Sequence, residues 1–206
     1  AKSVGGDYLD FISLPNNKLG FCVGDITGKG MPAAMLMANL QATLRSHAIM
    51  YEDCVKCMYG TNNLLYRSTD PTKFATLFYG ILDQKNATIQ YSNGGHDAPL
   101  LIRNNEEAIH LDSTGLLLGV MKESEYEMQT LALQPGDLLL IYSDGITEAM
   151  NPQNEEYGIE RLEEQAIRNS TFSSKETVDS ILQDVQDHAE GTPQSDDITL
   201  MVIKRI

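Results

Sequence analysis

Apolar and polar residues alternate from the start of the chain. Residues 8–14 and 19–23 are apolar-rich and flank Pro15-Asn16-Asn17, which predicts two strands joined by a hairpin turn. The pattern then lengthens. Met31 to about Met50 reads as a helix with Pro32 in its first turn, and its apolar residues (Met31, Ala34, Met35, Leu36, Ala38, Leu40, Leu44) cover more than one face. Such a helix is expected to be buried, or to pack on both a sheet and a neighbour, with its methionines as core filler. A second helix is expected from about Glu52 to Arg67, antiparallel to the first.

From Phe74 the period returns to two. Residues 74–83 and 87–92 read as strands around the turn Gln84-Lys85-Asn86, followed by a tight glycine turn at Asn93-Gly94-Gly95-His96. Residues 99–103 and 108–111 predict a further hairpin around Asn104-Asn105. Residues 126–133 and 137–142 are two more strands joined by Gln134-Pro135-Gly136, and the second, apolar throughout, belongs in the middle of a sheet. Residues 159–169 and 174–189 are helical, the latter with Ser173 or Ser174 as cap and Glu176 in its first turn. The acidic pair Asp196-Asp197 leads into a last strand. Mostly antiparallel strands with helices in separate blocks indicate an α+β fold.

The 206 residues suit one domain with a sizeable core, and a hydrophobic fraction of 42% is ordinary for a globular chain. Fifteen basic against twenty-nine acidic residues give a net charge of −14, which argues against nucleic-acid binding and favours cations where the acids converge. No apolar run reaches membrane-spanning length and no leader pattern is visible, so a cytoplasmic location without membrane contact by this domain is expected. The chain opens without methionine and almost on its first motif, which leads us to expect the C-terminal part of a longer regulatory protein. Three cysteines form no disulfide framework and point to a reducing compartment; Cys54 and Cys57 have CxxC spacing but lack the flanking strand or further ligands of a redox or zinc site.

Four acidic positions share a pattern: Asp7, Asp25, Asp144, and Asp196 or Asp197 each lie at the end of an apolar strand, three of them with glycine close by. In the predicted hairpin Asp7 and Asp25 fall near the same end of adjacent strands, where two carboxylates repel unless protonated or neutralised by a cation. Carboxylates without histidine or thiolate suit magnesium or manganese, and two such ions about 3.5–4 Å apart activate water for attack on phosphorus. Asp-Gly is also a common turn dipeptide, so a structural reading of each aspartate stands beside the ligand reading.

Val4-Gly5-Gly6-Asp7-Tyr8-Leu9-Asp10-Phe11, Gly24-Asp25-Ile26-Thr27-Gly28-Lys29-Gly30, Asn93-Gly94-Gly95-His96, Gln134-Pro135-Gly136-Asp137, Tyr142-Ser143-Asp144-Gly145-Ile146-Thr147-Glu148-Ala149 and Asp196-Asp197-Ile198-Thr199-Leu200 together resemble the PPM family of metal-dependent protein serine/threonine phosphatases, in its bacterial SpoIIE/RsbU-type branch. The resemblance spans essentially the whole chain, residues 1–206, in the family's motif order. It implies a sandwich of two antiparallel β-sheets flanked by α-helices and two Mn2+ or Mg2+ ions held by Asp7, Asp25, the Ile26 carbonyl, Asp144 and Asp196. It implies hydrolysis of phosphoserine or phosphothreonine in a protein, carried by these aspartates through a metal-activated water.

The branch further implies a phosphorylated STAS-type anti-anti-sigma factor as substrate within a partner-switching pathway, an upstream sensor or regulatory domain, and room for a homodimer. The competing reading is a catalytically weak metal-binding module for regulation or partner docking; a nucleotide-binding domain is disfavoured because no phosphate-cradling Gly-x4-Gly-Lys-Ser/Thr loop is present. The chain departs from the family at Thr27, where many eukaryotic members carry a histidine, and it has no counterpart of the arginine that precedes the first motif.

Other residues admit two readings each. His96 is a catalytic histidine or, ahead of that, a loop-fixing hydrogen-bond partner; His47, His110 and His188 carry no signal. Lys29 attracts phosphate or is simply solvated. Asp10 and Asp197 orient ligands or are solvated strand ends. In the resembling branch, the helix from Met31 also responds to regulatory partners.

Overall fold

A hairpin opens the chain: β1 (Asp7–Leu14) pairs antiparallel with β2 (Lys18–Ile26). The turn is made by Asn16 and Asn17, both at φ 59°, a left-handed conformation that asparagine tolerates better than most residues. The computed structural model describes residues 5–28, 30–68 and 72–206, so Val4 and Lys29 of the first two motifs lie outside the described residues. The chain forms two compact units, one running to His96 and including Ser113–Ala132, the other made of Asp97–Asp112 and Leu133–Ile206.

In the first unit, β1, β2, β3 (Ala75–Asp83), β4 (Thr88–Gly94) and β7 (Gln129–Ala132) form one antiparallel sheet in that order. Helices α1 (Met31–Met50) and α2 (Cys54–Ser68) share a core with it. Along β1 the alternation predicted from the sequence appears as burial: Tyr8, Asp10 and Ile12 are buried, while Leu9 and Phe11 on the other face are exposed. Asp53 starts α2 by accepting the backbone N–H groups of Val55 and Lys56 on Oδ1, at 2.9 and 3.1 Å.

Helix α1 packs on both the sheet and α2, one of the two arrangements expected, and is not buried on all sides with its methionines as core filler. Leu36, Leu40, Leu44 and Ala48 are in the core, but Met31 and Met35 are 71% and 68% exposed, as are Ile49 and Met50 near the other end. Its apolar composition reflects one packed face and an exposed apolar rim. Cys54 and Cys57 are helical, buried and unbridged, and burial pushes both thiols up to about 12, far from a reactive thiolate. The CxxC spacing therefore serves core packing.

In the second unit, β5 (Leu100–Arg103), β6 (Glu107–His110), β8 (Leu138–Tyr142) and β9 (Leu200–Lys204) form a sheet in the order β6-β5-β8-β9. All five residues of β8 are buried, as its apolar run predicts for a strand with neighbours on both sides. Two longer helices, α4 (Ile159–Arg168) and α5 (Ser174–Ala189), complete this core. Ser173 caps α5 in a reciprocal capping box with Glu176. The Gln134-Pro135-Gly136-Asp137 motif is a structural turn. Asp137, 1% exposed, accepts the Gln134 N–H at 2.8 Å and pairs with Arg103 at 2.7 Å.

Several boundaries shift from those expected, two of them near functional motifs. The expected strand over residues 126–133 shortens to β7, with Tyr126 making an isolated bridge to Gly115. The glycine turn begins later than expected, because β4 continues through Gly94 and only Gly95, at φ 71°, leaves the strand. Among the described residues, five helices and two antiparallel sheets make this an α+β chain, the class expected. Among the described residues, no helix is long and apolar enough to cross a membrane.

Candidate metal centre

Asp7 is the first residue of β1, Asp25 and Ile26 the last two of β2, and in the ladder Asp7 stands directly opposite Asp25. Strand periodicity puts this pair on the sheet face away from Tyr8, Asp10 and Ile12. Both aspartates are half-buried. Opposed like charges destabilise a strand pair, and a cation removes that penalty.

Glycine makes room at this end. A Cβ on Gly6 would lie 2.8 Å from Asp25 Oδ1 and 3.0 Å from the Ile26 carbonyl oxygen, so both candidate ligand oxygens border the same small space. The Ile26 N–H donates to Asp25 Oδ1 at 2.7 Å and to the Gly6 carbonyl at 3.2 Å, which fixes one carboxylate oxygen and ties the end of β2 to the residue before β1. Two carboxylates and a carbonyl are hard oxygen donors, the type of ligand that magnesium or manganese takes.

The end of β2 is pinned from its other side by β3. Asp25 N–H donates to Thr76 Oγ1 at 3.1 Å. Thr27 N–H donates to the Phe74 carbonyl, while the Thr27 hydroxyl donates to that carbonyl and accepts the Phe74 N–H, all at 3.1 Å. Thr27, at the position of the eukaryotic histidine, thus has its hydroxyl committed to a backbone brace.

The second unit carries the other pair. β8 ends at Tyr142, and Asp144 opens a single helical turn, α3 (Asp144–Thr147), which the sequence reading did not anticipate. Asp196 lies in the segment before β9, four residues ahead of Leu200 rather than at the strand itself. Ser143 joins the two segments: its N–H donates to the Thr199 carbonyl at 3.0 Å, and its hydroxyl accepts the Thr199 N–H at 2.9 Å and donates to the Asp197 carbonyl at 3.3 Å. A Cβ on Gly145 would sit 1.9 Å from the Asp197 carbonyl oxygen, so only glycine allows this approach. Asp196 Oδ1 accepts the Asp197 N–H at 2.9 Å.

Glu148, inside the Ser-Asp-Gly motif, was not singled out in the sequence. Burial raises its carboxyl, and the neighbouring charges of Asp144, Glu156 and Asp196 raise it further, which marks an acid-rich surface around this turn. Its position four residues after Asp144 was the available signal. A pocket of about 270 Å3 adjoins the same segments, lined by residues including Gly145, Ala149, Val185, Ser195 and Ile198.

Asp10 is neither a solvated strand end nor a neighbour of the ligands. It is buried, accepts two hydrogen bonds from Arg45 at 2.6 Å and one from the Tyr8 hydroxyl at 2.7 Å, and joins β1 to α1. His96 is 5% exposed, and the loop-fixing arrangement expected ahead of catalysis is present: its N–H donates to Asn93 Oδ1 at 2.8 Å and its carbonyl accepts from Asn93 Nδ2 at 3.0 Å. Among the described residues, no three acidic, histidine or cysteine side chains gather as a metal-binding group. Each unit presents a carboxylate pair.

The family model for Stage II sporulation protein E (SpoIIE) matches residues 15–206. Protein IcfG of Synechocystis sp. is 33% identical over 100% of this chain and 36% of its own length. Phosphoserine phosphatase RsbU of Bacillus subtilis is 26% identical over 100% of this chain and 61% of its own length. The chain thus spans about a third to three-fifths of these two relatives. The SiaA-PP2C domain of Pseudomonas aeruginosa superposes with a TM-score of 0.87 at 16% identity, covering 98% of this chain and 82% of that one, which establishes a shared PP2C-type (PPM) α+β fold. With almost its whole length matched by the family model, the chain belongs to the SpoIIE family.

Proposed function

We propose that this chain is the SpoIIE/RsbU-type phosphatase domain of a longer regulatory protein, and that it hydrolyses phosphoserine or phosphothreonine in a protein substrate. The observation that carries the reading is the pairing of Asp7 with Asp25 beside the Gly6 cradle that also admits the Ile26 carbonyl. Family membership and a relative named as a phosphoserine phosphatase support it. Asp7, Asp25, the Ile26 carbonyl, Asp144 and Asp196 are the proposed ligands for two Mn2+ or Mg2+ ions, a divalent requirement that the PPM relationship implies.

When bound, such ions supply water activation and compensation of phosphoryl charge. The chain's own residues set the stage. Gly6 leaves no side chain between itself, Asp25 Oδ1 and the Ile26 carbonyl, Gly145 admits the Asp197 carbonyl, Ile26 N–H orients Asp25, and Ser143 holds the Asp144 turn against Asp197. The net charge of −14 makes a cation requirement for an anionic substrate physically reasonable, because bare carboxylates repel phosphate. The proposed substrate is a phosphorylated STAS-type anti-anti-sigma factor, and the proposed location is the cytoplasm, with an upstream sensor domain setting activity.

The test is phosphate release from a phosphorylated STAS-type protein with and without Mn2+, using the parent chain and Asp144→Asn. Mn2+-dependent release that the variant loses supports the reading. Release at the same rate by Asp144→Asn overturns the metal-centred mechanism, and Mn2+ binding without turnover favours the docking-module alternative.

A further inference from the structure

We propose that Thr76 and His96 are positioning residues for Asp25, setting the metal affinity of this end of the sheet without touching the ion. The inference rests on reading Asp25 as a ligand. Thr76 lies opposite Asp25 in the β2–β3 ladder, and at this point the Asp25 N–H bonds to the threonine hydroxyl at 3.1 Å. Thr76 Oγ1 is also 3.0 Å from His96 Nδ1. A hydrogen-bond chain thus runs from the buried imidazole through the hydroxyl to the backbone of the candidate ligand.

Each link is held in place by its surroundings. Thr76 is β-branched, on a strand, with one restricted χ1. His96 follows the left-handed Gly95, and the Asn93 side chain clamps its backbone at both N–H and carbonyl. Asn93 is in turn fixed from Thr114, whose hydroxyl accepts the Asn93 N–H at 2.8 Å. With Thr76 holding the Asp25 amide and the Ile26 N–H holding Oδ1, the chain's own groups orient both the backbone and the carboxylate of Asp25. Groups that orient a metal ligand in this way typically change metal affinity by about 10–100-fold when removed. This gives the buried imidazole of His96 and the hydroxyl of Thr76 on β3 a common role.

The experiment titrates Mn2+ alone into the full chain by calorimetry, comparing the parent with Thr76→Val, Thr76→Ser and His96→Gln, with thermal melts of the metal-free proteins alongside. Thr76→Val keeps the shape and loses the hydroxyl, so its Mn2+ Kd is expected to rise about tenfold. Thr76→Ser restores the hydroxyl and is expected to bind within about twofold of the parent. His96→Gln is expected to weaken binding about threefold or more, and it carries the test if Thr76→Val does not fold. In the metal-free chain, exchange of the Asp25 amide proton should accelerate in Thr76→Val. Parent-like Kd values in both Thr76→Val and His96→Gln, with the parent binding Mn2+ and releasing phosphate, overturn the positioning role alone. A parent that binds no Mn2+ overturns the metal reading as well.

Discussion

Asp7 stands directly opposite Asp25 across the β1–β2 ladder, with the two carboxylates on the sheet face turned away from α1 and α2. Without a cation this juxtaposition costs stability, since like charges facing each other in a strand pair are destabilising. Asp7→Asn is therefore expected to melt no lower than the parent when metal-free, while losing most of the rise in Tm that Mn2+ gives the parent. A parallel pair of melts with and without Mn2+ checks this, and a variant that keeps the full Mn2+ shift would contradict it.

Asp25→Asn is the sharper functional test. It preserves an oxygen that can accept the Ile26 N–H but removes the charge. Phosphate release at saturating substrate is expected to fall by about 100-fold or more, equivalent to about 2.7 kcal/mol of barrier. The measurement is kcat across a Mn2+ titration, and full recovery at high Mn2+ would show that the charge acts only on affinity.

Gly145→Ala tests the second unit. The new methyl would fall 1.9 Å from the Asp197 carbonyl oxygen, part of the backbone and not a flexible side-chain tip. The Asp144 turn and the Asp196–Asp197 segment are expected to separate, with a loss of about 1–3 kcal/mol in urea unfolding and at least tenfold in phosphate release. Unchanged activity would mean that this close approach is irrelevant to the site.

Asp10 makes a prediction about pH. Burial pushes its carboxyl up, but the hydrogen bonds from Arg45 and Tyr8, the Arg45 charge and the Phe11 amide outweigh that and hold it below the usual carboxylate value. A group whose pKa is lower in the folded chain contributes stability that is fully present above its unfolded pKa and is lost as pH falls through the folded value. Asp10→Asn should therefore lower Tm by several degrees at pH 7, with the gap closing as the pH falls below the ordinary aspartate range. A gap independent of pH would show that the carboxylate charge contributes nothing.

The α5 cap gives a purely structural control. Ser173→Ala removes the acceptor of the Glu176 N–H and is expected to cost about 1 kcal/mol in urea unfolding without altering Mn2+ binding.

The hairpin of β1 and β2 was legible because two local rules agree there: alternation sets the strands, and consecutive asparagines make the turn. For helix α1 the apolar composition left full burial and packing on two neighbours both open, because composition does not say which sides meet a neighbour, and the structure has it on the sheet and on α2. Met31 and Met35 remain exposed because they lie off the row of Ala33, Leu36, Leu40, Leu44 and Ala48 that reaches the core. In the sequence Asp7 reads as a candidate ligand and Asp10, three positions on, as a group orienting ligands or a solvated strand end. An odd separation puts them on opposite faces, one against Arg45 and the other across from Asp25.

By itself the sequence determined the strand and helix blocks, the register-setting turn and the ordered motifs that name the family. These depend on local periodicity and on residue types at short spacing. Only the tertiary structure decided that Thr76 and His96 reach the Asp25 backbone, that Ser143 staples Asp144 to Asp197, and that Gly6 and Gly145 leave the openings they do. Those relations join residues 20 to more than 50 positions apart through strand pairing, and no local pattern of hydrophobic and polar positions encodes which hydroxyl meets which amide.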